Sequence, residues 1–203
     1  MHPTPDSSLL PLSPEGFFIL HSSFFTLHSS FFIFPLLQIL NIIEDTMVDG
    51  PGFRTAVYCA GCQHRCPGCH NPQSWDPQGG HAMTTADIMR IVCADPYTRG
   101  VTFTGGDPMY QPEGFAELAQ AIRRQTPQKD IWCYTGFTFE QLLTNPRQHA
   151  LLELIDVLVD GPFVKEERDE TLVFRGSRNQ RIIDVQASLG SGTPIILDYS
   201  TAV

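Results

Sequence analysis

From Gln38 onward, short apolar runs alternate with amphipathic stretches, the pattern of an α/β chain. Phe53 to Ala60 reads as a strand, and Val101 to Thr104, Ile131 to Tyr134 and Val157 to Val159 read as three more. Helical patterns lie between them. Thr84 and Asp87 form a capping signature ahead of a stripe at Ile88, Ile91 and Val92, which Asp95-Pro96 ends. Phe115, Leu118, Ala119 and Ile122 recur at i, i+3, i+4 and i+7. Thr138 with Gln141 caps a further helix, which Asn145-Pro146 divides from the apolar stretch Ala150 to Ile155. Each strand runs into a polar or glycine-rich turn, and a parallel sheet gathers such turns on one rim, where α/β folds place their chemistry. There are too few strand–helix units for a closed barrel of eight, so the expected architecture is an open partial (β/α) barrel.

The N-terminal stretch follows a different rule. Residues 17–23, 24–30 and 31–37 form a seven-residue repeat of paired phenylalanines, with paired serines in the first two units. Without flanking charges it fits neither a coiled-coil seam nor a clean membrane span. Residues 1–37 are therefore expected to lie outside the fold, as upstream sequence read as coding, with a natural start near Leu37. A peripheral membrane anchor is the competing reading. The folded domain is expected over 38–185, followed by a tail, 186–203. A chain of 203 residues is long enough for one domain with a real core. Its net charge of −9 argues against a nucleic-acid partner. No Lys or Arg precedes Arg54, which leaves an N-terminal targeting signal without its basic region. Three of the six cysteines fall in one motif, and Cys93 and Cys133 stand far apart, which argues against a disulfide framework and for the cytosol.

The chemistry concentrates in Cys62-Gln63-His64-Arg65-Cys66-Pro67-Gly68-Cys69, a C-x3-C-x2-C loop directly after the first strand. Electron-transfer cubanes and structural zinc sites take four protein ligands, so a set of three leaves one metal position for something else. Cys59 would extend the run to C-x2-C-x3-C-x2-C, which leaves open a four-sulfur zinc site. Four ligands within eleven residues would be cramped, and Cys59 falls inside the apolar strand, where it reads as a small packed hydrophobe. Gly105-Gly106-Asp107-Pro108, one strand–helix unit after the cysteine loop, is on its own an ordinary turn.

The cysteine loop and the Gly-Gly-acid turn together resemble the radical S-adenosylmethionine superfamily. Val48 to Arg54 before the loop and Cys69 to Asp76 after it are similar to the glycyl-radical-enzyme activases. Lys129 to Phe137, Val157 to Phe163 and Phe174 to Gln180 are similar to those activases that serve the anaerobic ribonucleoside-triphosphate reductase. The resemblance covers about Ile39 to Val185. It implies an open partial barrel of the radical S-adenosylmethionine type and a [4Fe-4S] cluster held by Cys62, Cys66 and Cys69. It further implies S-adenosylmethionine on the open iron, cleaved to a 5′-deoxyadenosyl radical that takes a hydrogen from a glycine of the reductase. Gly105, Gly106 and Asp107 match the turn that receives the methionine ammonium. Gly68 stands where many members carry an aromatic residue, so adenine contact is expected from main chain there or from His70. Tyr134, Thr135 and Asp160 are rim candidates for ribose or methionine, and Arg54 and Arg175 are candidates for cofactor carboxylate or reductase docking. A low-potential donor such as flavodoxin is the implied electron source, and no membrane partner is expected. Activation of another glycyl radical enzyme, such as pyruvate formate-lyase, is the alternative within the class; a non-enzymatic four-cysteine metal protein is the alternative outside it.

If the repeat lies outside the fold, a chain begun at Leu37 behind an initiator Met should match the full chain in solubility and cluster content. Loss of either on truncation, or its association with membranes only when residues 1–36 are present, would make the segment functional.

Overall fold

Main-chain pairing begins at Leu37 in the computed structural model, which describes residues 35–199. The N-terminal repeat therefore lies almost wholly outside the described residues. Leu37, placed by the sequence reading in the extension, is fully buried and pairs with Met83, so this residue belongs to the fold. In chain order the elements are β1 (Leu37–Thr46), β2 (Arg54–Cys59), β3 (His81–Met83), α1 (Thr85–Val92), β4 (Gly100–Gly105), α2 (Pro112–Gln125), β5 (Asp130–Tyr134), α3 (Phe139–Thr144), α4 (Pro146–Leu152), β6 (Val157–Asp160), β7 (Arg181–Asp184), α5 (Val185–Ser191) and β8 (Ile195–Ile196). Among the described residues, one mixed sheet holds all eight strands in the order β3-β1-β2-β4-β5-β6-β7-β8. The four central strands β2, β4, β5 and β6 run parallel, and antiparallel pairs flank them on both sides.

Alternation along the strands sorts the side chains onto two different faces. Val57 and Cys59, Val101 and Phe103, Ile131 and Cys133, Leu158 and Ile183 point into a core shared with Ile88, Phe115, Leu118, Ile122, Leu142 and Leu151 from α1, α2, α3 and α4. On the opposite face Trp132, Val157, Val159 and Ile182 form a smaller cluster, against which Tyr134, Phe174, Leu197 and Tyr199 pack. Both expected capping boxes are present. Thr84 and Asp87 close reciprocally on α1, and Thr138 and Gln141 on α3, each satisfying a main-chain N–H that the first helical turn leaves free.

Arg54 corrects a sequence expectation. It is fully buried, and it bonds Thr102 Oγ1 at 2.8 Å and the Val101 carbonyl at 3.0 Å while pairing with Asp130. Its guanidinium carbon lies 5.4 Å from the Trp132 ring centroid. Burial pulls its pKa down and Asp130 opposes that shift, so the residue is a strut between strands and does not line the cavity described below. The expected tail is also partly structured: α5 and β8 extend the fold to Ile196. Among the described residues, no helix is long and apolar enough to cross a membrane.

Asp130→Ala should destabilise the protein by about 3 kcal/mol, the lower end for breaking a buried ion pair, because main-chain carbonyls still meet the stranded guanidinium. Denaturant unfolding under anaerobic conditions measures it. A change under about 0.5 kcal/mol would show that the carbonyls alone suffice.

Candidate active site at the ends of the parallel strands

The cysteine loop leaves β2 with its stem pinned. Gly61 N donates to the Ser74 carbonyl at 2.7 Å, and the buried Ser74 hydroxyl donates to Asn71 O at 2.6 Å with Gly105 O at 3.1 Å as its second, longer acceptor. The chain then turns through left-handed conformations at Arg65 (φ 48°) and Gly68 (φ 78°). Cys62, Cys66 and Cys69 are half-buried free thiols, and all three line one cavity of about 380 Å³. Asn71 N donates to Cys69 Sγ at 3.3 Å. Burial pushes the Cys62 thiol up, while hydrogen bonds from the main chain at His64 and Arg65 act in the opposite direction.

Cys59 is fully buried in the core on the helix-covered face and is absent from the cavity wall. Burial drives its thiol far above the usual range, which suits a packed hydrophobe and removes the fourth ligand from the four-cysteine alternative. Among the described residues, no three His, Cys, Asp or Glu side chains are arranged to hold a single metal ion. Three thiolates on a cubane bind three different irons and so span a wider triangle than ligands sharing one ion. Three free thiols lining one cavity are the donor set that a cubane with one open iron needs.

The Gly-Gly-Asp turn after β4 stands beside the loop. A β-carbon on Gly105 (φ 98°) would meet the Cys59 nitrogen at 2.7 Å, and one on Gly106 would meet the Gly61 carbonyl oxygen at 2.6 Å. Glycine is needed here so that the turn can pack against the stem of the cysteine loop. Asp107 is 1% exposed and its carboxylate is heavily committed. Oδ1 accepts from Met109 N at 2.9 Å; Oδ2 accepts from Thr135 Oγ1 at 2.9 Å and Gly136 N at 3.0 Å, and lies 2.8 Å from His64 Nε2. The His64 ring in turn meets Phe137 edge-on at 4.6 Å and Tyr110 at 5.6 Å.

The remaining rim residues divide into two groups. Gly105, Gly106, Asp107, Tyr134, Thr135 and His70 all line the cavity with the three cysteines, whereas Gly68 is exposed on the loop and Asp160 is turned away from it. Asp160 is 1% exposed, paired with Arg181 and accepting Phe139 N at 2.8 Å, so it holds α3 to the end of β6. Thr135 spends its hydroxyl on Asp107 and on Phe137 N. Asp49 and Arg175 also line the cavity. Asp49 accepts the Tyr58 hydroxyl on both oxygens, at 3.1 and 2.9 Å. Nothing in local periodicity marks Asp49 or His64 as site residues; both sit in loops, where only the tertiary fold brings them to the cavity.

Asp107→Ala should lower stability by about 3 kcal/mol, because it leaves the buried Thr135 hydroxyl and the main-chain donors of Met109 and Gly136 without an acceptor. The untethered His64 should also loosen the cysteine loop and reduce iron retention. Unfolding and iron analysis check both; a variant with wild-type stability would show that the carboxylate is not a tie.

A family model for the 4Fe-4S single cluster domain matches residues 48–183. The anaerobic ribonucleoside-triphosphate reductase-activating protein of Vibrio cholerae is 41% identical over 142 residues, which cover 67% of this chain and 90% of that protein. The protein of that name from Escherichia coli K12 is 39% identical over 140 residues, covering 66% of this chain and 90% of its own length. The one from Enterobacteria phage T4 is 35% identical over 139 residues, covering 66% and 86%. Among solved structures, QueE from Escherichia coli aligns over 51% of this chain and 53% of its own at 15% identity, with a TM-score of 0.43. The chain belongs to the 4Fe-4S single cluster domain family and, within it, to the family of anaerobic ribonucleoside-triphosphate reductase-activating proteins.

Proposed function

We propose that this chain is a radical S-adenosylmethionine activase that generates a glycyl radical on an anaerobic ribonucleoside-triphosphate reductase. One observation carries the reading: Cys62, Cys66 and Cys69 share a cavity with the Gly105-Gly106-Asp107 turn and with Tyr134 and Thr135. Cys62, Cys66 and Cys69 would hold a [4Fe-4S] cluster as thiolates. Once bound and reduced, that cluster would supply the one electron that splits S-adenosylmethionine into methionine and a 5′-deoxyadenosyl radical, the species that would take the glycine hydrogen.

The chain's own part is to bind, orient and exclude. Because Asp107 is occupied by protein donors, the methionine ammonium is assigned to the main chain of Gly105 and Gly106, with Asp107 holding the turn. His70 is exposed beside Cys69, with its ring 5.8 Å from Phe163, which gives the adenine a side chain to rest on next to the open backbone of Gly68. Tyr134 is assigned to the inner wall of the cavity and Thr135 to positioning through Asp107.

The reductase as partner is supported by the names of the three relatives described above, each an activating protein of that enzyme. We further propose that the mixed sheet curves into an open partial barrel, that a low-potential donor such as flavodoxin delivers the electron, and that the protein works in the cytosol. The six unpaired cysteines support a reducing compartment.

Anaerobic reconstitution with iron and sulfide, followed by 5′-deoxyadenosine release and glycyl-radical formation on the reductase, tests the reading. Cys62→Ala, Cys66→Ala and Cys69→Ala should each abolish both products, while Cys59→Ala should keep the cluster at some cost in stability. A protein that takes zinc but no iron, or activity that survives loss of any one of the three cysteines, would overturn it.

A further inference from the structure

We infer that the C-terminal segment braces the cavity wall from behind, with Tyr199 a positioning residue that fixes Phe174 and, through it, Arg175. The inference rests on the proposed binding of S-adenosylmethionine in this cavity.

Arg175 is the starting point. Among the residues lining the cavity it is the only Lys or Arg, in a wall that also carries Asp49, Asp107 and three cysteines. Its side chain is anchored at one end, where Nη1 donates to the Gln180 carbonyl at 2.9 Å. Its Nε is buried and has no hydrogen-bond partner. A buried, unpaired guanidinium donor is costly unless something in the cavity accepts from it. An anion suits it best, and S-adenosylmethionine carries one in the carboxylate of its methionine part.

The loop that carries Arg175 is held on both sides. On the C-terminal side, Gln180 Oε1 accepts from Gly176 N at 2.9 Å and Ser177 N at 3.2 Å, and its Nε2 donates to Gly161 O at 3.1 Å. On the N-terminal side stands Phe174, which adopts a left-handed backbone (φ 57°) that a bulky residue rarely takes without support. That support is aromatic. Phe174 meets Trp132 edge-on at 5.5 Å and Tyr199 edge-on at 5.6 Å, and Tyr199 meets Trp132 at 5.4 Å, so three rings contact one another pairwise. Trp132 is 1% exposed on the central strand β5 and is fixed in place. Tyr199, by contrast, reaches the cluster only because the chain continues past β8. Without its ring, Phe174 loses one of its two ring contacts, which support its backbone beside Arg175.

Equilibrium binding of S-adenosylmethionine to the cluster-loaded protein, with no reductant and hence no turnover, tests the inference. Arg175→Met should weaken binding roughly tenfold to a hundredfold, the range for a charge-assisted hydrogen bond. Tyr199→Ala should weaken it about threefold to tenfold, with iron content unchanged, and Tyr199→Phe, which keeps the ring contacts, should restore it. In an Arg175→Met background, Tyr199→Ala should cost nothing further, because the residue it positions is gone. Wild-type affinity in either single variant, or an undiminished loss from Tyr199→Ala in the Arg175→Met background, would overturn the inference while leaving the proposed function standing. Failure of the wild-type protein to bind S-adenosylmethionine at all would overturn both. Should Tyr199→Ala lose iron, Tyr199→Leu, which keeps apolar volume without the edge-on ring contacts, must show the same loss of affinity.

Discussion

Asp107 is nearly sealed from solvent, and its two oxygens take bonds from three separate turns. His64 brings in the cysteine loop after β2, Met109 N the short turn after β4, and Thr135 with Gly136 the turn after β5. Parallel strands impose no local link between such turns, since each hairpin-like contact is replaced by a helix on the far side of the sheet. A buried carboxylate with several donors is one way to supply that link, and it fixes where the cysteines stand relative to the glycine turn. The close packing of Gly105 and Gly106 on the loop stem follows from the same arrangement.

The division of the sheet into two faces does the rest. Helices α1 to α4 cover one face with a large apolar core, leaving the other to loops and to the aromatic cluster around Trp132. Residues at the C-terminal ends of the parallel strands on that second face, Thr104 and Tyr134 among them, face the cavity. Polar groups on this face need partners. Arg54, Thr102, Tyr58 and Asp49 find them in one another and in main-chain carbonyls, so that the loop from Met47 to Phe53 is tied down over the strands.

The four parallel strands and both capping boxes were legible because each has a local signature: an apolar run closed by a turn, or a threonine three residues ahead of an acid or amide. The strands β3 and β8 are three and two residues long, too short to carry a period of their own, and β7 offers only the pair Ile182-Ile183 between charged residues. β1 hid its pattern because only Leu37 and Ile39 are buried along its ten residues. At the site, the cysteines and the Gly-Gly-Asp turn could be read from spacing. The fates of Arg54, Asp107 and Asp160 could not, because whether a charged side chain faces a ligand or is spent on a buried pair depends on partners from distant strands. The grouping of Phe174 with Tyr199 is of the same kind, joining residues outside any local pattern.

The most direct test of the central claim is electron paramagnetic resonance of the anaerobically reconstituted, reduced protein with and without S-adenosylmethionine. A cluster held by Cys62, Cys66 and Cys69 leaves one iron open to an outside ligand, so the reduced signal should change on addition of the cofactor. A reduced cluster whose signal is indifferent to S-adenosylmethionine would contradict the account.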